Sequence, residues 1–355
     1  MYRKLITIAL CLAVIPAPAL ASSEPWREQS EKVVDAGALK GVRVENARGL
    51  ITARRGDRSN LRLTAVKIAR GRDREQAMKF ARETQVTTAT EDGRFVVRVR
   101  YPQRQMLRVS FFDLFGGFEF PRVEVRLALE VPGGMPVWLN STSGDLETES
   151  LSGTQSLGTT SGDVTVLGAA GALEVSTVSG DIQASDVASA RFRTVSGDVR
   201  LNQAKGPLSV HTTSGEIDVS GGTDSLSLAS VSGGIRVDGA PRGVVAQSTS
   251  GDVTIGPAAG VVRTETSSGD VRVELRSPLG RAEISTASGD IEVDLGGTLG
   301  CSLDMRTSNG TLDTDVPLEV QTVSRRMVTG IVRRGTAPVH LRSSSGDITV
   351  RGGGN

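Results

Sequence analysis

Apolar and polar residues alternate along much of the chain, and from Ser143 onward the alternation repeats about every 18 residues. Each repeat is centred on Ser-Gly-Asp, whose serine occurs at Ser143, Ser161, Ser179, Ser196, Ser250, Ser268, Ser288 and Ser345. Two variants, Ser214-Gly215-Glu216 and Ser232-Gly233-Gly234, fill the remaining gaps at the same period. Because repetition at a fixed period is the signature of a repeat protein, each copy predicts one structural unit.

The residues around each serine predict two short strands joined at the glycine. Ser or Thr stands two positions before the serine in every copy, as Thr177 does before Ser179, and an aliphatic residue such as Ile182 stands three after it. Positions four before and five after are mostly apolar. This period of two is typical of strands with one buried face. We interpret Thr177, Ser179, Gly180 and Asp181 as a structural corner motif.

Two all-β architectures fit this pattern. In a β-solenoid, successive coils stack in parallel register and equivalent residues form ladders, so that the apolar face is buried within each coil. In an antiparallel meander sandwich, Gly-Asp would form a hairpin turn, and the many strands would need a second sheet to cover them. The near-constant period favours a solenoid of about 18-residue coils, and the meander is the alternative.

The end of the array departs from this period. Asn309 takes the serine position in a degenerate copy, and 36 residues separate it from Ser345. Two periods would fill this distance, so we expect one further coil near Met327 that has lost the motif.

Residues 22–135 predict a strand-rich N-terminal region ahead of the repeat array of residues 136–355. Alternating segments at 39–46, 95–100 and 123–131 predict strands. One helix is expected at about residues 73–84, with Asp73 as its N-cap. Its apolar stripe, which we expect to pack on the sheet, consists of Ala77, Met78, Phe80 and Ala81.

A Phe-rich loop interrupts the N-terminal region. It holds five of the eight phenylalanines of the chain: Phe111, Phe112, Phe115, Phe118 and Phe120. One interpretation is a hydrophobic plug or a part of the core of this region. The other is an exposed patch that contacts a membrane or a partner, because clustered surface aromatics mark contact sites. These phenylalanines are therefore the candidate partner contact.

The N-terminus predicts export. Arg3 and Lys4 form a short positive segment, 5–15 are apolar, and Ala19-Leu20-Ala21 has the small residues that signal peptidase requires. Residues 1–21 are therefore interpreted as a signal peptide. Its apolar run is too short for a membrane span. No transmembrane segment is expected in the mature chain. The mature protein is expected in the periplasm, at the cell surface or secreted.

Charge divides the chain unevenly. Residues 22–140 carry a net charge of about +7 and residues 141–355 one of about −8. Charged side chains on solvent-facing strand faces explain this difference in net charge. The alternative is that the positive and negative regions bind each other, within one chain or between subunits. The array is acidic and has no basic patch with interleaved aromatics, so no nucleic-acid partner is expected.

Few residues suit catalysis. His211 and His340 are the only histidines and are far apart in the array. The sequence holds no catalytic triad, zinc spacing, phosphate loop or dinucleotide fingerprint. No catalytic residue and no cofactor are predicted. Cys301 is the only cysteine after the signal peptide, and it is expected to be a buried small residue, with pairing between chains as the alternative.

The aspartates of the repeats could serve two purposes. Stacked coils would place them about 4.8 Å apart, a spacing at which a row of carboxylates could hold Ca²⁺. However, calcium takes six to eight oxygens, and the row supplies one carboxylate per coil, with Glu216, Gly234 and Thr311 replacing the aspartate in three copies. Each Asp capping its own turn is sufficient. No metal site is predicted.

The leader, the strand-rich front, the Val131-Pro132-Gly133-Gly134 segment and the repeated Thr-x-Ser-Gly-Asp-[Val/Ile] together resemble the bacterial putative-adhesin family. The resemblance covers residues 39–350. It implies a right-handed β-helix-like fold and a place in the cell envelope, and it provides no catalytic residues.

The resulting hypothesis is an exported, non-enzymatic envelope protein that acts as an adhesin or protein-interaction scaffold. Its partner would be an envelope protein or a surface glycan. The alternatives are a carbohydrate-active β-helical enzyme, in which a pair of carboxylates would act, and an envelope-stress or regulatory component that works through a partner.

Overall fold

The computed structural model describes residues 25–57, 59–71, 73–102 and 122–352. These residues form 27 strands and one helix. The chain divides into two compact units, unit 1 (Met1–Gly162) and unit 2 (Asp163–Asn355). The boundary predicted between residues 135 and 136 stays a prediction. The predicted signal peptide and all five phenylalanines of the Phe-rich loop lie outside the described residues.

Unit 1 contains ten strands and the helix among its described residues. Their bounds are β1 (Trp26–Asp35), β2 (Gly41–Asn46), β3 (Ile51–Arg55), β4 (Asn60–Arg70), α1 (Arg74–Glu83), β5 (Gln85–Glu91), β6 (Arg94–Arg100), β7 (Arg122–Val131), β8 (Val137–Ser141), β9 (Leu146–Leu151) and β10 (Gln155–Gly158). One ladder runs β1–β4–β7–β3–β9 and the other runs β5–β6–β2–β8–β10. The pairs β1–β4, β4–β7 and β5–β6 are antiparallel, whereas β7–β3, β3–β9, β6–β2, β2–β8 and β8–β10 are parallel. Parallel, coil-like stacking therefore already begins in this unit.

The helix begins where the sequence predicts it. The Asp73 carboxylate accepts the backbone N–H of Gln76 at 2.7 Å, which satisfies one of the free donors of the first turn. Ala77 and Ala81 are buried against Ala69 and Val123, and Phe80 packs beside them. The apolar stripe thus packs on the sheet, as expected.

Unit 2 consists of strands in its described part. Their bounds are β11 (Val164–Ser176), β12 (Ile182–Arg193), β13 (Val199–Ala204), β14 (Leu208–Thr212), β15 (Ile217–Ser220), β16 (Leu226–Ser230), β17 (Ile235–Asp238), β18 (Gly243–Ser250), β19 (Val253–Ser268), β20 (Val271–Ser288), β21 (Ile291–Leu295), β22 (Cys301–Asn309), β23 (Leu312–Thr314), β24 (Leu318–Ser324), β25 (Met327–Val332), β26 (Ala337–Ser345) and β27 (Ile348–Gly352).

These strands stack in two ladders. The upstream ladder consists of the strand segments that precede each corner, and the downstream ladder of those that follow it. Consecutive coils pair in parallel and in register, with Val199 opposite Ile217 in the downstream ladder and Val210 opposite Leu228 in the upstream ladder. The β-solenoid is therefore confirmed, and the antiparallel meander is wrong because neighbouring coils run in the same direction.

The core of unit 2 is built from the predicted apolar rows. The aliphatic residues three after the serine are at most 1% exposed: Ile182, Val199, Ile217, Ile235, Val253, Val271, Ile291 and Ile348. Residues four before the serine, such as Phe192 and Leu228, are buried on the other side of each coil. Full burial of each such side chain contributes about 1.5–3 kcal/mol, so each coil adds its own share of core.

The C-terminal coil breaks the order of the chain. β26 pairs in parallel with β20 on one side and with β22 on the other, while β27 lies between β21 and β23. The last coil in sequence is thus inserted between two coils that precede it. Residues 318–332 form an antiparallel hairpin of β24 and β25, and β25 pairs antiparallel with β22. The expected coil near Met327 is therefore wrong: the extra length forms a hairpin at the end of the upstream ladder.

Candidate interaction surfaces

The corner glycines make room for the backbone of an adjacent coil. A Cβ added to Gly197 would overlap the carbonyl oxygen of Gly180, and one added to Gly215 would overlap that of Gly197. A side chain at this position would separate the two backbones. In the corner that contains Gly180, Thr177 is buried, Ser179 is exposed and Asp181 is half-buried.

The hydroxyl residue two before the serine points into the solenoid. It is buried in every coil of unit 2, and in six coils its hydroxyl donates to the corner-glycine carbonyl of an adjacent coil at 3.0–3.4 Å: Ser230 to Gly215, Ser248 to Gly233, Thr266 to Gly251, Thr286 to Gly269, Ser343 to Gly289 and Thr307 to Gly346. The hydroxyls of Thr177, Thr194 and Thr212 are buried without a hydrogen-bond partner among the described residues. None of these hydroxyls is available to an external ligand.

The aspartate row joins neighbouring coils. The Asp181 carboxylate accepts the backbone N–H of Asp198, and the Asp198 carboxylate accepts that of Glu216. The same bond, at 2.7–2.9 Å, links Asp163 to Asp181, Asp252 to Asp270, Asp270 to Asp290, Asp290 to Asp347 and Asp347 to Thr311. The sequence predicted that each Asp caps its own turn; instead, each of these carboxylates caps the next coil in space.

This bonding bears on the calcium alternative. One oxygen of each of these carboxylates is engaged by a backbone N–H, and the bond from Thr311 holds the pKa of Asp347 below its ordinary value. Among the described residues, no group of three or more His, Cys, Asp or Glu is placed to hold a metal ion. The geometry thus gives a calcium ladder no support.

The charged side chains on the outside of the coils pair between neighbouring coils. Glu292 forms ion pairs with Arg272 on one side and Arg351 on the other. Glu174 pairs with Arg193 at 2.8 Å. The arginine of each pair is more than half exposed, and each such surface contact contributes about 1 kcal/mol or less.

His340 lies in a row of charges on the upstream ladder. Its neighbours are Glu283 on one adjacent strand and Asp304 on the other, and its Nδ1 lies 3.5 Å from Asp304 Oδ2. Asp304 also receives two hydrogen bonds from Arg306. Partial burial raises the pKa of Asp304, but the bonds from Arg306 and the proximity of His340 outweigh it, so the pKa is lowered. His211 lies elsewhere in this ladder, between Arg193 and Ala229.

On the outward face of the downstream ladder, one side chain from each consecutive strand forms a row in which arginines alternate with Asp or Thr. Arg200, Asp218, Arg236, Thr254 and Arg272 follow one another on consecutive strands. A shallow depression of about 400 Å³ lies around Arg236, between Asp218 and Thr254. Arg236 is exposed and has no ion pair among the described residues.

Cys301 is fully buried in β22, as the sequence predicts. Burial raises the pKa of its thiol to about 11. The thiol is therefore protonated near neutral pH and is poorly suited to pairing between chains.

The end of the upstream ladder is a surface that the sequence did not indicate. β25 and β24 extend this ladder past β22, whereas the downstream ladder ends at β23 among the described strands. Val320 and Val323 of β24 are 57% and 66% exposed, the highest values among the large hydrophobic side chains that the structure describes. The only signal in the sequence was the missing copy of the motif in this segment.

Three solved structures illustrate what this fold is similar to. A protein described as a putative cell adhesion protein from Clostridium sporogenes has 9% identity and a TM-score of 0.22, with 93% of this chain and 100% of that chain covered. A putative adhesin from Bacteroides fragilis has 11% identity and a TM-score of 0.28, covering 92% and 99%. A putative lipid binding protein from Parabacteroides distasonis has 12% identity and a TM-score of 0.31, covering 92% and 97%.

No curated protein matches the sequence. The helix α1, the only one among the described residues, lacks the length and apolar character needed to cross a membrane. A family model described as Toastrack DUF4097 matches residues 42–260 and 247–351, which together span most of the chain. The resemblance to a putative-adhesin family is thereby confirmed, and the chain belongs to the Toastrack DUF4097 family.

Proposed function

We propose that this protein is an exported, non-enzymatic component of the bacterial envelope that presents its stacked coils as a binding surface, for adhesion or for contact with other envelope proteins. The observation that carries the proposal is the outward row of the downstream ladder. Its side chains stand at strand spacing on consecutive coils and alternate in character. Such a row offers a partner many weak, regularly spaced polar contacts.

The chemistry of unit 2 favours a polar contact over an aromatic one. Phe192 is the only aromatic residue between 163 and 355, and it is buried. Stacking of sugar rings on aromatic side chains therefore has no support in this unit. A polar or charged partner, such as an envelope protein or an acidic or hydroxyl-rich glycan, fits the exposed Arg, Asp and Thr side chains better.

The contact is placed at Arg236, because this exposed cation lies at the shallow depression without an ion pair of its own among the described residues. A photo-crosslinking amino acid at position 236 is expected to trap an envelope partner in the cells that produce the protein. Arg191 is a matched control, since it is also exposed but lies on the upstream ladder. Equal yields from positions 236 and 191 would contradict the proposed surface.

The role of charge is tested with the crosslinking amino acid moved to position 254, which lines the same depression beside Arg236. In that chain Arg236→Glu is expected to reduce the crosslink yield about tenfold, as reversal of a contacting charge does, and Arg191→Glu to leave it unchanged. A glycan array probed with both variants distinguishes a surface glycan from a protein partner. Turnover of a polysaccharide by the purified protein would instead favour the enzyme alternative.

Export is the other part of the proposal, and residues 1–21 support it through their charge, apolar run and Ala-Leu-Ala end. Expression of the full chain in a bacterial host is expected to yield a mature protein that begins at Ser22, by intact mass. Ala19→Arg and Ala21→Arg should block cleavage, because the cleavage site requires small residues. A full-length product from the unaltered chain would contradict export.

A further inference from the structure

The strand β24 has one edge without a partner among the described strands. It pairs with β25 on one side, and no strand that the structure describes pairs with the other. Because β25 and β24 extend beyond β22, the upstream ladder projects by two strands, about 10 Å at the usual strand spacing. An unpaired edge presents a row of backbone donors and acceptors that can receive another strand.

The apolar side of this projection is uncovered. Val320 and Val323 lie opposite Gly330 and Val328, which in turn lie opposite Leu303 and Met305 of the core. The two valines thus continue the core-facing side of the ladder, and the irregularity between Val320 and Thr322 places both on that side. Their high exposure shows that no described element covers them.

The charges on β24 are arranged with one sign at each end. Glu319 stands near its start, and Arg325 and Arg326 follow its end; all three are exposed and have no ion pair among the described residues. If a second copy of β24 lay parallel to the first, like charges would meet. In an antiparallel arrangement, Glu319 of each copy lies near the two arginines of the other. The strand is therefore self-complementary in one direction only.

We propose that β24 is a homotypic docking strand, through which two copies of this chain join by antiparallel pairing about a two-fold axis. The axis passes near the middle of β24, so Val320 of one copy lies beside Val323 of the second copy and Glu319 lies near its Arg325 and Arg326. Each copy makes the same contacts, as an isologous interface requires. The joined strands form one continuous sheet across the two copies.

The size of the contact sets its strength. A pair of seven-residue strands buries less than the roughly 1,200–2,000 Å² of a stable protein–protein interface. The dimer is therefore expected to dissociate on dilution, with a dissociation constant on the order of 10 μM. Sedimentation velocity over a range of concentrations measures this directly. A chain that remains monomeric at the highest concentrations would overturn the proposal.

The first variants target the apolar contact. Val320→Lys and Val323→Lys together place four like charges at the two-fold axis, so the dissociation constant is expected to rise at least about tenfold. Val261→Lys is the matched control, because Val261 is 55% exposed but its strand is paired on both sides. All these side chains are exposed, and circular dichroism checks that each variant is folded. Loss of dimer in the Val261 variant alone would place the interface elsewhere.

The charge arrangement gives a test that does not depend on the valines. Glu319→Arg alone and Arg325→Glu with Arg326→Glu each bring like charges together and are expected to weaken the dimer about tenfold. Mixing these two variants restores opposite charges at both ends, so a heterodimer is expected. The triple variant, with all three charges reversed, should recover the original affinity. If mixing produced no heterodimer, antiparallel pairing of β24 would be refuted.

Discussion

Two regions of unit 2 follow different rules. From residue 163 to residue 275, each coil pairs with the coils that precede and follow it in sequence, and corresponding residues stack directly. From residue 301 to residue 352, the last coil is inserted between two earlier ones and an antiparallel hairpin ends the ladder. The 18-residue repeat is enough to specify which coils are neighbours in the first region. The neighbours in the second region are set by contacts that the repeat does not specify.

Removal of the inserted coil should have the largest effect. A chain that stops after Thr336 loses Val339, Leu341, Ile348 and Val350, all fully buried. At about 1.5–3 kcal/mol for each side chain, the loss exceeds about 6 kcal/mol, and β20 and β22 lose the strand between them. Denaturant unfolding should show unit 2 strongly destabilised or unfolded. A chain that stops after Gly352 is the control; equal stability of the two chains would show that the coil is dispensable.

The two regions should also differ in their response to the loss of an aliphatic side chain. Ile217 is 1% exposed in a regular coil, and Ile217→Ala should lower the free energy of unfolding by about 2–5 kcal/mol. Val323→Ala at the end of the ladder should change it by less than about 0.5 kcal/mol, because the side chain is 66% exposed. Chemical denaturation of dilute protein measures both. Similar losses would mean that Val323 is covered.

Gly335 lies in the segment that leads from β25 into the inserted coil, and its substitution tests how closely that segment packs. A Cβ at this position would overlap the backbone of Gly300 and Cys301, so Gly335→Ala should cost about 1–3 kcal/mol. The preceding Arg333 donates to the carbonyl oxygens of Gly296 and Leu299 and holds this crossing in place. Gly234→Ala in a regular corner is the control, because its nearest neighbour would be at ordinary contact distance. Thermal unfolding should separate the two variants.

One hydrogen bond of the aspartate row is missing in the regular coils, and a substitution can restore it. Gly234 occupies the position that is Asp in most corners, between Glu216 and Asp252. Gly234→Asp should let the new carboxylate accept the backbone N–H of Asp252, as the other aspartates of the row do for the coil beside them. This hydrogen bond should raise the free energy of unfolding by about 0.5–1 kcal/mol. Gly234→Asn, with a neutral oxygen acceptor, separates the hydrogen bond from charge repulsion along the row. A loss of stability in both variants would contradict this role of the Asp row.

Acid should affect the end of the array through Asp347. Its pKa is lowered by the hydrogen bond from Thr311, so the folded state prefers the ionised carboxylate. The resulting stabilisation is complete above the ordinary Asp pKa of about 3.9 and is lost as the pH falls through the lower folded-state value. Asp347→Asn should therefore show a smaller loss of stability between neutral and acidic pH, in pH-dependent denaturation. Asp313→Asn, which removes a carboxylate without a hydrogen bond among the described residues, should behave as the unaltered chain.

The candidate surfaces were predicted unevenly. The burial of Thr177 and the corner position of Gly180 could be read from the pattern, because identical residues at a fixed period must occupy equivalent places. The hydrogen bond from Asp198 N–H to the Asp181 carboxylate could not, since a turn-capping Asp has the same sequence signature within a coil or between coils. Val320 and Val323 resemble core residues in sequence, and only the absence of a described facing strand makes them exposed.

The sequence by itself determined the all-β class, the coil length, the core rows and the family, because each coil meets its neighbour through contacts that the repeated pattern specifies. The tertiary structure alone decided which coils are neighbours at the end of the array. A parallel ladder accepts any strand with the right alternation of apolar and polar residues. The alternation of β26 therefore matches that of β20 and that of β22 equally well. The choice among such partners depends on chain connectivity and on close contacts such as that of Gly335 with Gly300, which periodicity does not encode.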